Sequence, residues 1–224
     1  MRILFIITSA NKIGKKKYST GYEFSEVAEP YFVFVDKGFI VDFASIGGGI
    51  PPEDGYNGAH QISKKFREGE GFKRLNLSTT LDEVNIDLYD AIFFPGGLGP
   101  MVDMVDNPLV KKVIRTSYEG GKIIGAVCHG PVALLNVILS DGSNLLAGKR
   151  INSFTKEEEK AKSHLLGEMI PFMLDEALKE QGALFAHTKP FEPYIIVDGS
   201  LVTGQNPASA FGLASKMIEL LLKQ

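Results

Sequence analysis

The sequence predicts an α/β fold in which a parallel sheet is covered by helices on both faces. Two observations predict it. Short runs of branched and aromatic residues are apolar throughout rather than alternating, as strands buried on both sides require. Between them lie segments whose apolar residues return every three or four positions, the spacing of an amphipathic helix.

The first strand is read at residues 3–8, "ILFIIT". With the residues before it, the run is far short of the ~20 apolar residues that span a bilayer, and it lacks a signal-peptide layout. A helix is expected over 23–37 and a second strand over 40–44. Residues 47–87 are then rich in Gly, Pro and charge. So long a connection implies a purpose, and it is expected to hold a short helix near 62–66 and to cover the active edge of the sheet. Strand 91–94, helix 107–119 and strand 123–127 follow, with a helix at 131–136. Leu174, Ala177 and Leu178 share a face of a helix over 171–181. Strands at 194–197 and 201–203 flank Asp198-Gly199, a hairpin signal, and a last helix covers 209–223. No repeat, low-complexity tract or linker divides the chain, so one domain over 1–224 is expected.

Composition narrows the function classes. Among 224 residues, 44% are hydrophobic and 23% charged, and the net charge of -3 does not suit a nucleic-acid binder. Lys15, Lys16 and Lys17 form the one basic cluster, read as a solvated loop, with an anion site as the lesser alternative. No stretch suits a membrane span. The single cysteine cannot form an intramolecular disulfide, which fits the cytoplasm.

That cysteine, Cys128, sits in "GAVCHGP" where a strand is expected to turn into a helix. Gly125 and Gly130 are small neighbours that let strand and helix approach. The arrangement is a nucleophile elbow with cysteine in the nucleophile position. A helix N-terminus beyond it is expected to favour the thiolate. The bland alternative is a buried structural cysteine. His129 is read as a base toward substrate, although a histidine next in sequence turns back on its neighbour less easily than a distant one. The two glycines of "FFPGGLGP" allow close backbone approach, and the N–H groups of Gly97 and His129 could stabilise charge on a carbonyl oxygen. Neither a phosphate loop nor a dinucleotide fingerprint is present. His60, His164 and His187 show no ligand spacing, so neither metal nor cofactor is expected.

"AVCHGPVAL", "YDAIFFPGGLGPMVD" and "VDGSLVTGQNPAS" resemble the signatures of the ThiJ/PfpI superfamily of flavodoxin-like proteins. "TGYEFSEVAEPYFVFVDKGFIVDFASIGGGIPP" resembles its branch of glutathione-independent glyoxalase III enzymes, also described as stress chaperones. The resemblance implies that Cys128 is the nucleophile, His129 its partner, and Glu26 a carboxyl hydrogen-bonded to the cysteine. It places the acid that orients the histidine on Glu159, with Glu158 the near alternative. By itself "KEEEK" reads as a solvent-facing charge run. Leu98 stands where many members of the branch carry histidine, and Phe191 where tryptophan is frequent. Asn206 or Ser209 is read as a cap for the last helix.

The activity so implied converts methylglyoxal or a related 2-oxoaldehyde to a 2-hydroxy acid, without cofactor, in a homodimer. Gly97 and Leu98 would contact the substrate. Two rivals use the same residues. One is a stress chaperone or redox sensor built on an oxidisable thiol, the other a cysteine peptidase or amidase. A closed pocket would favour the small aldehyde, an open groove the peptide.

Overall fold

The computed structural model describes residues 1–223. Its sheet is built from β1 (Arg2–Ile7), β2 (Ile40–Ser45), β3 (Thr79–Thr80), β4 (Ala91–Phe94), β5 (Ile123–Val127), β6 (Ile195–Asp198) and β7 (Leu201–Gly204). The seven strands lie in the order β6-β7-β5-β4-β1-β2-β3. All neighbours are parallel except β6 and β7, the hairpin that Asp198-Gly199 predicts.

Successive residues of a strand point to opposite faces, so a continuous apolar strand feeds two cores. In β1, Ile3, Phe5 and Ile7 join one core while Leu4 and Ile6 join the other. In β4, Ala91 and Phe93 divide from Ile92 and Phe94 in the same way. The first core lies under α1 (Phe24–Val35), α2 (Gln61–Glu68), α3 (Glu70–Leu75) and α7 (Ala210–Leu221), and is rich in aromatic rings. Phe5 meets Phe34 and Phe43 edge-on, with centroids 5.9 and 5.5 Å apart. The second core holds Val110, Val113 and Ile114 of α4 (Pro108–Glu119) with Leu174 and Leu178 of α6 (Leu174–Glu180). Asn107 caps α4 by accepting from the Leu109 and Val110 amides at 3.0 and 3.3 Å. Between them, α5 (Lys156–Ala161) stands near the carboxyl ends of the strands.

The structure corrects two expectations. Residues 131–136 are not an α-helix: a 3-10 helix spans Gly130–Leu134, and a turn this short has no developed dipole. Residues 47–87 cover the site only in part, through Asp54, which lines the pocket beside Cys128. The rest includes α2, α3 and β3, and Phe66 and Leu75 of the two helices pack into the aromatic core. The loop after β1 is fastened to Asp103, to which Thr8 Oγ1 and the Ser9 amide donate at 2.8 and 2.7 Å. The lysine cluster is an exposed loop, as expected, with the Lys15 amide donating to Glu168 O at 2.8 Å and Lys16 pairing with the Glu168 carboxylate.

Candidate active site

Cys128 follows β5 with φ at +60°, a left-handed conformation that costs a non-glycine residue about 1–3 kcal/mol. Its surroundings hold it there. The Cys128 amide donates to Gly204 O at 2.9 Å, and its carbonyl accepts from the Phe154 amide at 2.8 Å. A methyl group on Gly130 would collide with Phe94 O, so only glycine lets the chain pass this close to β4.

The strained corner turns His129 back onto its neighbour, and Cys128 Sγ lies 3.3 Å from His129 Nδ1. Adjacency was therefore no obstacle. The imidazole lies over Phe154, centroids 4.8 Å apart, and its Nε2 meets Glu159 Oε1 at 2.7 Å. The second oxygen, Glu159 Oε2, meets His164 Nδ1 at 2.5 Å. Burial would raise the Glu159 carboxyl, but His129 and then His164 outweigh it and hold the group at about 2. The ionised carboxylate accepts from both rings. In the neutral ring His129 thus carries its proton on Nε2 and turns the lone pair of Nδ1 to the sulfur.

Two adjacent glutamates are buried for different reasons. Thr155 and Glu158 form a capping box at the start of α5. Glu158 Oε1 also accepts from the Phe191 amide at 2.7 Å and from Asn206 Nδ2 at 2.8 Å. Glu158 is thereby committed to structure, and Glu159 is the acid that meets His129. Asn206 ties α5 to the chain before α7 instead of bonding an α7 amide.

On the other side of the sulfur, Glu26 is fully buried at the start of α1. Its Oε2 accepts from the Gly96 amide at 2.6 Å, and the carboxyl interacts with the Cys128 thiol. Burial, then the Glu23 charge, pushes Glu26 well above the usual carboxylate range. Burial, then Glu26, pushes the thiol up as well, while the Gly97 amide opposes this by bonding to the sulfur. This overturns the lowering expected from a helix N-terminus, since burial and Glu26 raise the thiol. The pair keeps a single negative charge at most, so a thiolate requires Glu26 in its protonated, donating form.

The site opens into a pocket of about 360 Å³ that contains Cys128, His129, Gly97 and Leu98. Phe154 and Phe191 supply aromatic walls, while Glu23, Asp54, Lys162 and His164 are its charged or titratable lining. Sequence reasoning missed these last four. His164 arrives through the end of α5, where Ser163 has φ at +57°. The His164 amide donates to Glu159 O at 2.9 Å and the Ser163 amide to Lys160 O at 3.1 Å, a Schellman motif without its usual glycine. The missing glycine hid the motif from the sequence. His129, Glu159 and His164 bring one donor atom each within 4.8 Å of one another. Those atoms already share protons in hydrogen bonds, which makes the cluster a relay of proton sites rather than an open coordination sphere.

The family model described as "DJ-1/PfpI family" matches residues 18–220. The "Probable glutathione-independent glyoxalase hsp3103" of Schizosaccharomyces pombe is 32% identical, with 91% of each chain covered. Among solved structures, Rapid Encystment Protein 24 KDa of Francisella tularensis is 34% identical, with a TM-score of 0.92 and 98% of each chain covered. Glyoxalase III of Candida albicans is 26% identical, with a TM-score of 0.86 over 98% of this chain and 96% of its own.

Proposed function

The chain belongs to the DJ-1/PfpI family, and from that premise we propose that it is a glutathione-independent glyoxalase that converts methylglyoxal or a related 2-oxoaldehyde to a 2-hydroxy acid. One observation carries the reading: the 3.3 Å approach of Cys128 Sγ to His129 Nδ1, backed by Glu159, at the floor of a small pocket. The relatives named as glyoxalases support it.

In the proposed reaction His129 Nδ1 takes the thiol proton, and the sulfur attacks the aldehyde carbon. The imidazolium returns that proton to the new oxygen, giving a hemithioacetal. Developing charge on this oxygen is opposite the Gly97 and His129 amides. Neutral His129 next removes the carbon-bound proton, leaving an enediolate across the two carbons. The hydroxyl proton passes to the neighbouring, negatively charged oxygen. The imidazolium delivers the abstracted proton to the neighbouring carbon as the carbonyl re-forms beside sulfur, giving a thioester of the 2-hydroxy acid. Water hydrolyses the thioester and restores the thiol, so the sum is substrate plus one water. Glu26 in its protonated form donates toward the sulfur and stabilises its charge.

A pocket of about 360 Å³ suits a triose-sized aldehyde better than a peptide, which places acyl transfer on peptides second. We further propose a homodimer working in the reducing cytoplasm. The dimer rests on the family resemblance, and the compartment on the lone unpaired thiol. Among the described residues no helix is long and apolar enough to cross a membrane. The deciding experiment measures lactate formed from methylglyoxal without glutathione, in the wild type and in Cys128→Ala. Turnover that the substitution abolishes supports the reading. No turnover by a verified reduced wild type overturns it.

A further inference from the structure

We infer that His164 is a positioning residue of this site, holding Glu159 so that it presents one oxygen to His129. The inference rests on the glyoxalase reading for its kinetic consequence but on geometry for its substance. A carboxylate has two oxygens and can rotate to offer either one or both. Here each is taken by a different ring nitrogen, Oε1 by His129 at 2.7 Å and Oε2 by His164 at 2.5 Å. The Glu159 side chain is 1% exposed, so loss of the His164 N–H leaves a buried anionic oxygen unpaired. The carboxylate then rotates to share both oxygens with His129 or to find a backbone donor. Either movement disturbs the ring that faces Cys128.

The arrangement is built rather than incidental. The backbone of His164 is fixed by the same Schellman motif that ends α5, through its 2.9 Å bond to Glu159 O. His164 therefore bonds Glu159 twice, once through its backbone and once through its ring. Ser163 accepts a left-handed conformation at +57° to achieve this. The His164 side chain is 20% exposed and lines the pocket, whereas the Glu159 side chain is 1% exposed. The titratable and charged groups sharing that pocket are Cys128, His129, Glu23, Asp54 and Lys162. Of these, His129 is the one tied to His164 through a shared carboxylate.

The test compares wild type, His164→Ala and His164→Asn, the last keeping an N–H able to reach Glu159. Two quantities are measured against pH: kcat and KM on methylglyoxal, and the rate at which iodoacetamide alkylates Cys128. The chain has one cysteine, so alkylation reports this site alone and needs no turnover. In His164→Ala, kcat falls about tenfold to a hundredfold with KM within about twofold, and the inflection of the alkylation profile moves. His164→Asn recovers most of both. The inference is overturned if His164→Ala retains the wild-type kcat and alkylation profile, or if His164→Asn loses as much as the alanine variant. Should the alanine variant not fold, the asparagine variant decides alone, by a preserved or displaced alkylation profile. A wild type without turnover defeats the glyoxalase reading but leaves the alkylation result to decide the role of His164.

Discussion

At the scale of single residues, the site is an arrangement of three protons among Glu26, Cys128, His129 and Glu159, and burial dictates where they reside. Glu26 is pushed well up by burial and then by Glu23, so the folded protein holds its proton more tightly than the unfolded chain does. The stability it contributes is full below its unfolded value of 4.5 and is lost as pH rises through the raised native value. Glu26→Gln removes that loss. Its melting temperature should change less than that of wild type between about pH 5 and pH 8, while kcat falls because the amide stabilises a thiolate less well. A melting curve as pH-sensitive as the wild type's would contradict this account of Glu26. Glu159 has the opposite sign. Its value falls from 4.5 to about 2, so its contribution is present above 4.5 and is lost as pH falls toward about 2. At about 1.36 kcal/mol per pH unit this contribution is on the order of 3 kcal/mol. Urea unfolding of Glu159→Gln should show that much less stability near neutral pH and a flatter decline below about pH 4.5. Parallel curves for the two proteins would refute the assignment.

At the scale of elements, every strand of the sheet but β3 was legible, because an apolar run of three to six residues between turn signals has few other uses. The two threonines of β3 carry no such signal. The first residues of α4 were legible from Asn107 and Pro108, a cap followed by a proline that suits the first helical turn. The opposite holds for α5. Its "KEEEK" has the pattern of a solvated face, yet Glu158 and Glu159 are both buried. The reason is tertiary: Glu158 satisfies the helix end and the chain around Phe191 and Asn206, which fixes the turn from which Glu159 reaches His129. The identity of Glu159 came from the family resemblance, and His164 could not be found because serine occupies the position where glycine would mark a Schellman turn. Thr155→Ala tests the dependence of Glu159 on this element. Loss of the capping hydroxyl should cost about 1 kcal/mol of stability and should lower kcat as well, because the first turn of α5 carries the acid. A stability loss with kcat unchanged would mean that Glu159 is held by its histidines alone.

At the scale of the whole molecule, the pocket is assembled from segments far apart in sequence. Glu23 precedes α1, Asp54 comes from the long connection after β2, Gly97 and Leu98 follow β4, and Cys128 follows β5. The rim is completed by Lys162, Phe191 and Asn206. A parallel sheet gathers such segments because its strands end on one edge, and that much could be read from the order of strands and glycines. Which side chains close the rim could not, since it depends on the paths of irregular segments such as the one carrying Phe191. Phe191 has φ at +64°, its amide is fixed by Glu158 Oε1 at 2.7 Å, and its ring packs against Phe154 with centroids 6.2 Å apart. The backbone anchor does not involve the ring, so the ring can be removed while the segment stays in place. Phe191→Ala should therefore enlarge the pocket without dismantling the site. With phenylglyoxal and methylglyoxal as competing substrates, kcat/KM should shift toward the aromatic aldehyde by about tenfold, with turnover still lost in the Cys128→Ala background. An unchanged preference would place the size limit elsewhere on the rim, with Leu98 the next residue to replace.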